Sequence, residues 1–229
     1  MTDAKRRRDL VIVTIASAAG ATVGLLGPEA SVMAAAAAPS VTVTLSAVWA
    51  KIAGRRIRNV EETLVDAAET ASMTVEEFLE MAVSGERSHE LLARVVMVAQ
   101  DTTMRDKRRA LGRALAAGVA GDSARVDEEL LFVRAIADLD PPHIRLLSLI
   151  GSEAPSKALL NGGWMSHEIV GRDPGLADVL PALLATLELH TLILDGGIVR
   201  PVEGGRVHQY SVTARGQNFL RRLTEDPIE

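Results

Sequence analysis

The sequence predicts a mainly α-helical protein with a small β-hairpin near its C-terminus, and three observations lead to this fold class. Two long uncharged segments occupy most of the first 50 residues. Apolar residues then recur at helical spacing from residue 59 to residue 139, and two short β-like segments flank a glycine-containing turn after residue 197. We therefore predict three domains: an apolar helical hairpin (1–58), a helical bundle (59–139) and a C-terminal domain (140–229).

The composition excludes several kinds of site. The chain has no cysteine, so it holds no disulfide, thiolate metal site or cysteine nucleophile. Its net charge is -5, from 25 basic and 30 acidic residues, which argues against a protein built chiefly to hold nucleic acid. Aromatic residues make up only 3% of the chain, so nucleic-acid bases would find few rings on which to stack.

The first domain has the pattern of a two-helix membrane anchor. Leu10 to Pro28 and Ala30 to Ala50 are uncharged segments of 19 and 21 residues, separated by Glu29. Roughly 20 apolar residues span a bilayer core as a helix. Cations flank both outer ends, which predicts an inner-membrane protein with both termini in the cytoplasm. The flanking cations include Arg6, Arg7, Arg8, Lys51, Arg55 and Arg56.

Small residues at four-residue spacing predict that the two helices pack closely against each other, as helices do in lipid. The proposed packing residues are Ala16, Gly20, Gly24, Ala34, Ala38, Thr42 and Ser46. The glycine and proline before Glu29 would form the turn between the helices.

Other interpretations of this domain stay open. A hairpin buried in a soluble cytoplasmic protein would show the same spacing, and the segment from Val41 to Leu45 alternates like a strand. A cleaved secretory signal would place its basic region before Leu10 and its cleavage site near Pro39, although Asp9 counts against that interpretation.

Helix signals divide the middle domain. Thr74 and Glu77 have the spacing of a capping box, Ser84 and Gly85 are expected to end that helix, and Asp122 or Ser123 is expected to cap a later one. The acidic residues at 127, 128 and 129 would then lie near the N-terminus of this helix, where the positive end of the helix dipole stabilises negative charge.

The densest basic cluster lies in the same domain, at Arg105, Lys107, Arg108, Arg109 and Arg113. Such a cluster could meet lipid headgroups or phosphates. A solvated helix face opposed by nearby acids is the favoured interpretation.

In the last domain, Asp140 followed by two prolines predicts a helix start, and Ile198–Val202 with Val207–Val212 predicts a β-hairpin. The segment Leu192–Ile198 (Leu-Ile-Leu-Asp-Gly-Gly-Ile) looks like a helix end and strand entry. The segment Tyr210–Gly216 (Tyr-Ser-Val-Thr-Ala-Arg-Gly) looks like a strand end with a T-x-x-G motif. On these two segments, residues 140–224 resemble a winged-helix domain.

The winged-helix resemblance implies DNA binding through a recognition helix at Leu176–Leu194 and a wing at Arg200–Arg206. No lysine or arginine lies between Arg172 and Arg200, so the implied recognition helix lacks a cation for phosphate or guanine. Use as a protein-interaction or structural module is therefore favoured, and nucleic acid is the disfavoured partner. Arg200 and Arg206 remain the candidate nucleic-acid contacts, and four leucines of the segment look like core or dimer contacts: Leu180, Leu183, Leu184 and Leu187.

A second resemblance concerns the middle helices that lead into Asp140. They are similar to abortive-infection alpha-type phage-defence proteins, which are helical and connected with membranes. This resemblance implies phage defence as a biological setting.

No catalytic motif is present, and no histidine pair has the i, i+4 spacing of a zinc protease. We therefore predict a non-enzymatic protein with no catalytic residue, cofactor or metal. It would be membrane-anchored and act through self-association or a protein partner. The alternative is a soluble, dimeric winged-helix transcription regulator.

Overall fold

The computed structural model of the chain describes residues 39–153, 163–202 and 205–224. Over these ranges the protein is mainly helical, with one small antiparallel sheet near the C-terminus, which confirms the predicted class at that level. The chain divides into two compact units, 1–54 and 55–229. The second unit contains both regions that the sequence analysis assigned to separate domains, and the boundary predicted at 139/140 stays a prediction.

Helix α1 (Pro39–Thr70) runs without a break across the domain boundary predicted at residue 58. The strand interpretation of Val41–Leu45 is wrong, because these residues lie within α1 and the helix overrides their local β preference. In the second unit, α1 buries Val60, Leu64, Ala67 and Ala68 on one face. Among residues 39–153, 163–202 and 205–224, no helix combines the length and apolarity that a bilayer span needs.

Four further helices complete the bundle: α2 (Val75–Ser84), α3 (Glu86–Asp101), α4 (Arg105–Ala120) and α5 (Ser123–Asp138). The capping box at the start of α2 is confirmed. Glu77 N donates to Thr74 Oγ1 at 3.2 Å, and Thr74 N donates to Glu77 Oε2 at 3.0 Å. The Thr74 hydrogen bonds also lower the pKa of Glu77. Asp122 caps α5, since its Oδ1 accepts from Arg125 N at 2.9 Å.

Helix α4 approaches α1 closely at Gly112. A Cβ atom at Gly112 would lie 2.9 Å from the carbonyl oxygen of Thr63 and 3.1 Å from Ala67 N. Only glycine fits this spacing without a shift of the backbone. The other buried side chains of α4 include Leu111 and Leu115, both fully buried in the core shared by α3, α4 and α5.

The C-terminal region alternates helices with three strands. Its elements are α6 (Pro141–Gly151), β1 (Trp164–Met165), α7 (Ser166–Arg172), a 3-10 turn (Pro174–Leu176), α8 (Leu180–Leu189), β2 (Ile193–Val202), β3 (Gly205–Val212) and α9 (Ala214–Thr224). The sheet is antiparallel with the order β1-β3-β2, and Trp164 and Ile193 lie opposite Tyr210 and Val212.

Two predictions for this region need correction. The segment Leu176–Leu194 is not one helix: α8 ends at Leu189, Thr191 has a positive φ of 54°, and β2 begins at Ile193. A positive φ at a β-branched residue ends the helix there. The hairpin is confirmed, but both of its strands begin before the predicted limits, and the sheet contains the additional strand β1.

The T-x-x-G motif joins the hairpin to α9. Thr213 Oγ1 accepts from Gly216 N at 2.9 Å and donates to Thr191 O at 2.8 Å. A Cβ atom at Gly216 would overlap the carbonyl oxygen of Leu192. The motif therefore holds the start of α9 against the chain that enters β2.

Candidate interaction surface

Helix α8 has one buried face and one exposed face. Its buried face holds the four leucines that the sequence analysis expected to be core or dimer contacts, and the structure places all four in the core: Leu180, Leu183, Leu184 and Leu187. The opposite side of α8 is formed by exposed residues that are mostly small or apolar: Pro181, Ala182, Ala185, Glu188 and Leu189. We call these five residues the outer face of α8.

Large apolar side chains are exposed on α8 and in the chain close to its two ends. Leu189 is 76% exposed, the largest value among the exposed hydrophobic residues that the structure describes. Val179 precedes α8 and is 45% exposed, and Leu194 of β2 is 60% exposed. Contiguous exposed apolar surface is typical of interaction sites.

The charge of the outer face does not suit nucleic acid. Glu188 is its only charged residue, and it is acidic. A helix that reads DNA needs cations for phosphates or bidentate donors for bases. The outer face of α8, which would correspond to a recognition helix, therefore lacks both the positive charge and the polar donors that DNA binding requires.

Arg200 and Arg206, the candidate nucleic-acid contacts, lie on the two strands of the hairpin. Arg200 is in β2, and Arg206 in β3 is the cross-strand neighbour of Pro201. The backbone thus brings the two positions to the same end of the hairpin. Their side chains lie outside the described part of the chain.

The other end of the hairpin is shaped by Asp195. Its Oδ1 accepts from Gly197 N at 2.8 Å, and its Oδ2 lies 2.6 Å from His208 Nδ1. Gly197 has a φ of 77°, and the register between β2 and β3 shifts between Asp195 and Ile198. This bulge accounts for the Asp-Gly-Gly sequence, since glycine adopts positive φ without steric cost.

A cluster of charged side chains that includes the buried Glu129 connects α5 to α9. Glu129 of α5 is fully buried and accepts a hydrogen bond from Nη2 of Arg222 in α9. Nη2 of Arg125 lies 2.8 Å from Glu129 Oε1. Burial raises the pKa of Glu129, and the hydrogen bond from Arg222 acts in the opposite direction.

Aromatic rings surround the same cluster. The Arg222 guanidinium lies 3.7 Å from the centroid of the Phe132 ring, and the centroids of the Phe132 and Phe219 rings are 5.2 Å apart. This places a cation–π contact next to the buried ion pair.

The structural role of Glu129 was not predicted from the sequence. Its position near the start of a helix predicted a favourable interaction with the helix dipole, whereas the structure buries it against α9. A signal was present, because Glu129 shares helical spacing with the buried residues Val126, Val133 and Ile136. An acid on the buried stripe of a helix requires a cation from another element.

The membrane residues predicted from sequence fall largely outside the described part of the chain. Thr42 and Ser46 lie in α1, and Lys51 and Arg55 are exposed on the same helix. Arg56 forms an ion pair with Asp101 at 2.8 Å. The remaining packing and flanking residues lie outside the described residues: Arg6, Arg7, Arg8, Ala16, Gly20, Gly24, Ala34 and Ala38.

Within the described residues, no group of three His, Cys, Asp or Glu side chains is arranged to hold a metal ion. His167 is exposed, and Glu168 accepts from Met165 N at 2.9 Å at the start of α7. The Glu168 carboxylate therefore accepts a backbone hydrogen bond at the start of α7.

The chain matches no protein-family model, no curated protein and no solved structure. The resemblances to winged-helix domains and to abortive-infection proteins therefore stay predictions.

Proposed function

We propose that this protein is a non-enzymatic interaction protein whose C-terminal region is a winged-helix-like module that joins two copies of the chain. The outer face of α8 carries this proposal, because it exposes Leu189, Ala182 and Ala185 and has no cation. The order of helices and strands from α6 to β3, with β1 paired to β3, agrees with a winged-helix arrangement.

A second copy is the partner that the composition of this face favours. An apolar helix face that carries one charge is compatible with an identical face, whereas a strongly charged partner would find no counterion there. Small side chains such as Ala182 and Ala185 allow two helices to approach closely. Two-fold dimers are also the commonest assembly among homo-oligomers.

The uncharged segments between Leu10 and Ala50 extend the proposal to the inner membrane. They would anchor the protein by a two-helix hairpin with both termini in the cytoplasm. Pairing through α8 would then bring two anchors together. Fractionation of cells tests the anchor, since the full chain should require detergent for extraction.

Substitution of Leu189 tests the interface. We expect residues 55–229 to be dimeric by light scattering, and Leu189→Glu to make them monomeric, because two carboxylates would lose their hydration in the interface. Val83→Glu is the matched control: Val83 of α2 is 53% exposed but is not part of α8. It should leave the dimer intact.

A monomeric unsubstituted 55–229, or a dimer that survives Leu189→Glu, would contradict the proposal. Salt-dependent retention of the protein on DNA, lost in Arg200→Ala/Arg206→Ala, would instead favour the transcription regulator.

A further inference from the structure

A groove of about 440 Å³ lies between the ends of four helices of the bundle. Its lining comes from the last two turns of α3, the link to α4 and the first turn of α4. The end of α5 and the start of α6 supply the rest. Three cations line it: Arg94, Lys107 and Arg134. We call it the cationic groove.

Lys107 is the unusual member of this set. Its side chain is only 6% exposed, yet it forms no hydrogen bond or ion pair with any residue that the structure describes. Burial lowers the pKa of Lys107, and the charges of Asp140 and Asp138 oppose that effect. A buried ammonium without a partner is costly, and a bound anion would reduce that cost.

The two arginines of the groove are also without partners. Arg94 and Arg134 are exposed, and neither forms an ion pair or a hydrogen bond with a described residue. Arg56 and Arg108, which lie nearby on the bundle surface, bind Asp101 and Glu62 at 2.8 Å each. Unlike these two arginines, the arginines of the groove have no carboxylate within ion-pair distance among the described residues.

Three carboxylates line the groove too, and two of them have partners outside it. Asp101 is paired with Arg56 at 2.8 Å, and Asp138 lies 3.0 Å from His190 Nε2. Asp140 stands at the start of α6. Because Arg56 shares Asp101 with the groove, four cations face three carboxylates there, which leaves a small excess of positive charge.

The start of α4 adds a further donor set. Its N-cap residue, Met104, provides no capping hydrogen bond from its side chain, and Met104 lines the groove. The first backbone N–H groups of a helix lack partners within that helix and carry partial positive charge. They lie in the same turn as Lys107.

We propose that the cationic groove binds the phosphate group of a small organic phosphate, with Lys107 as its central ligand. Arginine and lysine side chains with helix N–H groups are the donors that phosphates use in proteins. Met97, Val98 and Pro141 line the rest of the groove and would contact the organic part. A volume of 440 Å³ suits a ligand of this size.

Titration of the full-length chain with pyrophosphate tests the proposal by calorimetry and thermal unfolding at constant ionic strength. We expect binding with an increase in Tm. Lys107→Met should raise Kd about tenfold or more, the effect of losing one charged hydrogen bond. Lys51→Met is the control, because Lys51 is exposed on α1 and outside the groove; it should bind like the unsubstituted protein.

We expect Lys107→Met to fold. Replacing an unpaired buried charge by an apolar side chain of similar length should keep or raise the Tm of the unliganded protein. The Tm of unliganded Lys107→Met is therefore the second readout. A large decrease in this Tm would contradict the conclusion that Lys107 has no partner in the folded protein.

Three results would overturn the proposal: no heat of binding with pyrophosphate, equal affinity in Lys107→Met, or equal loss in Lys51→Met. A lipid headgroup is the other source of phosphate. Binding to vesicles that contain phosphatidic acid, lost in Lys107→Met but without any binding of pyrophosphate, would also overturn the assignment to a small ligand.

Discussion

Glu129 and Lys107 are both buried charges of the helical bundle, and their surroundings give them different roles. Glu129 accepts from Arg222 and has Arg125 beside it, whereas Lys107 has no partner among the described residues. A matched buried pair holds elements together, and an unmatched charge in a groove is available to a ligand. We therefore assign Glu129 to stability and Lys107 to binding.

Loss of the Glu129 carboxylate should destabilise the protein strongly. Glu129→Ala leaves Arg222, which is only 17% exposed, without its anion, so we expect the free energy of unfolding to fall by about 3–5 kcal/mol. Urea unfolding of residues 55–229 measures this change. The control is Glu128→Ala, because Glu128 is 53% exposed and its pair with Arg125 should contribute at most about 1 kcal/mol.

The same carboxylate predicts a pH dependence. Burial raises the pKa of Glu129 above 4.5, so the folded state binds a proton more tightly than the unfolded state. The resulting contribution to stability is complete below pH 4.5 and is lost as the pH rises through the folded-state pKa. Glu129→Gln should remove this decrease from the pH profile of the urea midpoint. An unchanged profile would contradict the raised pKa.

At the scale of single elements, the features that depend on neighbouring residues, such as helix starts, were predictable from the sequence. Thr74, Asp122 and Asp140 each mark a helix start in the structure, because capping depends on residues within one turn. The two-residue strand β1 has no such signal, since it exists only through pairing with β3. The uninterrupted passage of α1 through residue 58 likewise follows from packing and not from a local motif.

The candidate sites were predictable to different degrees. The buried leucines of α8 and its outer face, which carries no cation, follow from helical periodicity alone. The cationic groove does not, because Arg94, Lys107 and Arg134 come from three helices whose arrangement the sequence does not state. The basic cluster that contains Lys107 was interpreted as a solvated helix face, but Lys107 itself is buried.

The connection between the hairpin and α9 depends on Gly216. Gly216→Ala should lower the free energy of unfolding by about 1–3 kcal/mol or more, because the added methyl group would meet the Leu192 carbonyl oxygen and the backbone must move. Thermal unfolding measures the effect. Gly171→Ala is the matched control: a Cβ atom there meets nothing within 4 Å, and the change in α7 should be neutral or stabilising. Similar losses in both variants would contradict this account.

At the scale of the whole molecule, the second unit is held together across the boundary that the sequence placed at residue 139. Arg222 of α9 binds Glu129 of α5, and Arg113 Nη2 of α4 donates to the carbonyl oxygen of Arg222 at 2.5 Å. The ring of Phe132 contacts that of Phe219. A single hydrophobic core runs from Val60 to Leu223.

These contacts predict that the bundle does not keep its stability alone. A chain that ends at Leu139 retains Glu129 and Phe132 but loses Arg222 and Phe219, so it exposes apolar surface and leaves a buried carboxylate without its arginine. We expect residues 55–229 to unfold in one transition by circular dichroism, and residues 55–139 to melt at a clearly lower temperature or not to fold. If 55–139 instead melted at the same temperature as 55–229, the Glu129–Arg222 pair would contribute nothing to the bundle. The two regions would then be independent domains, as the sequence alone suggested.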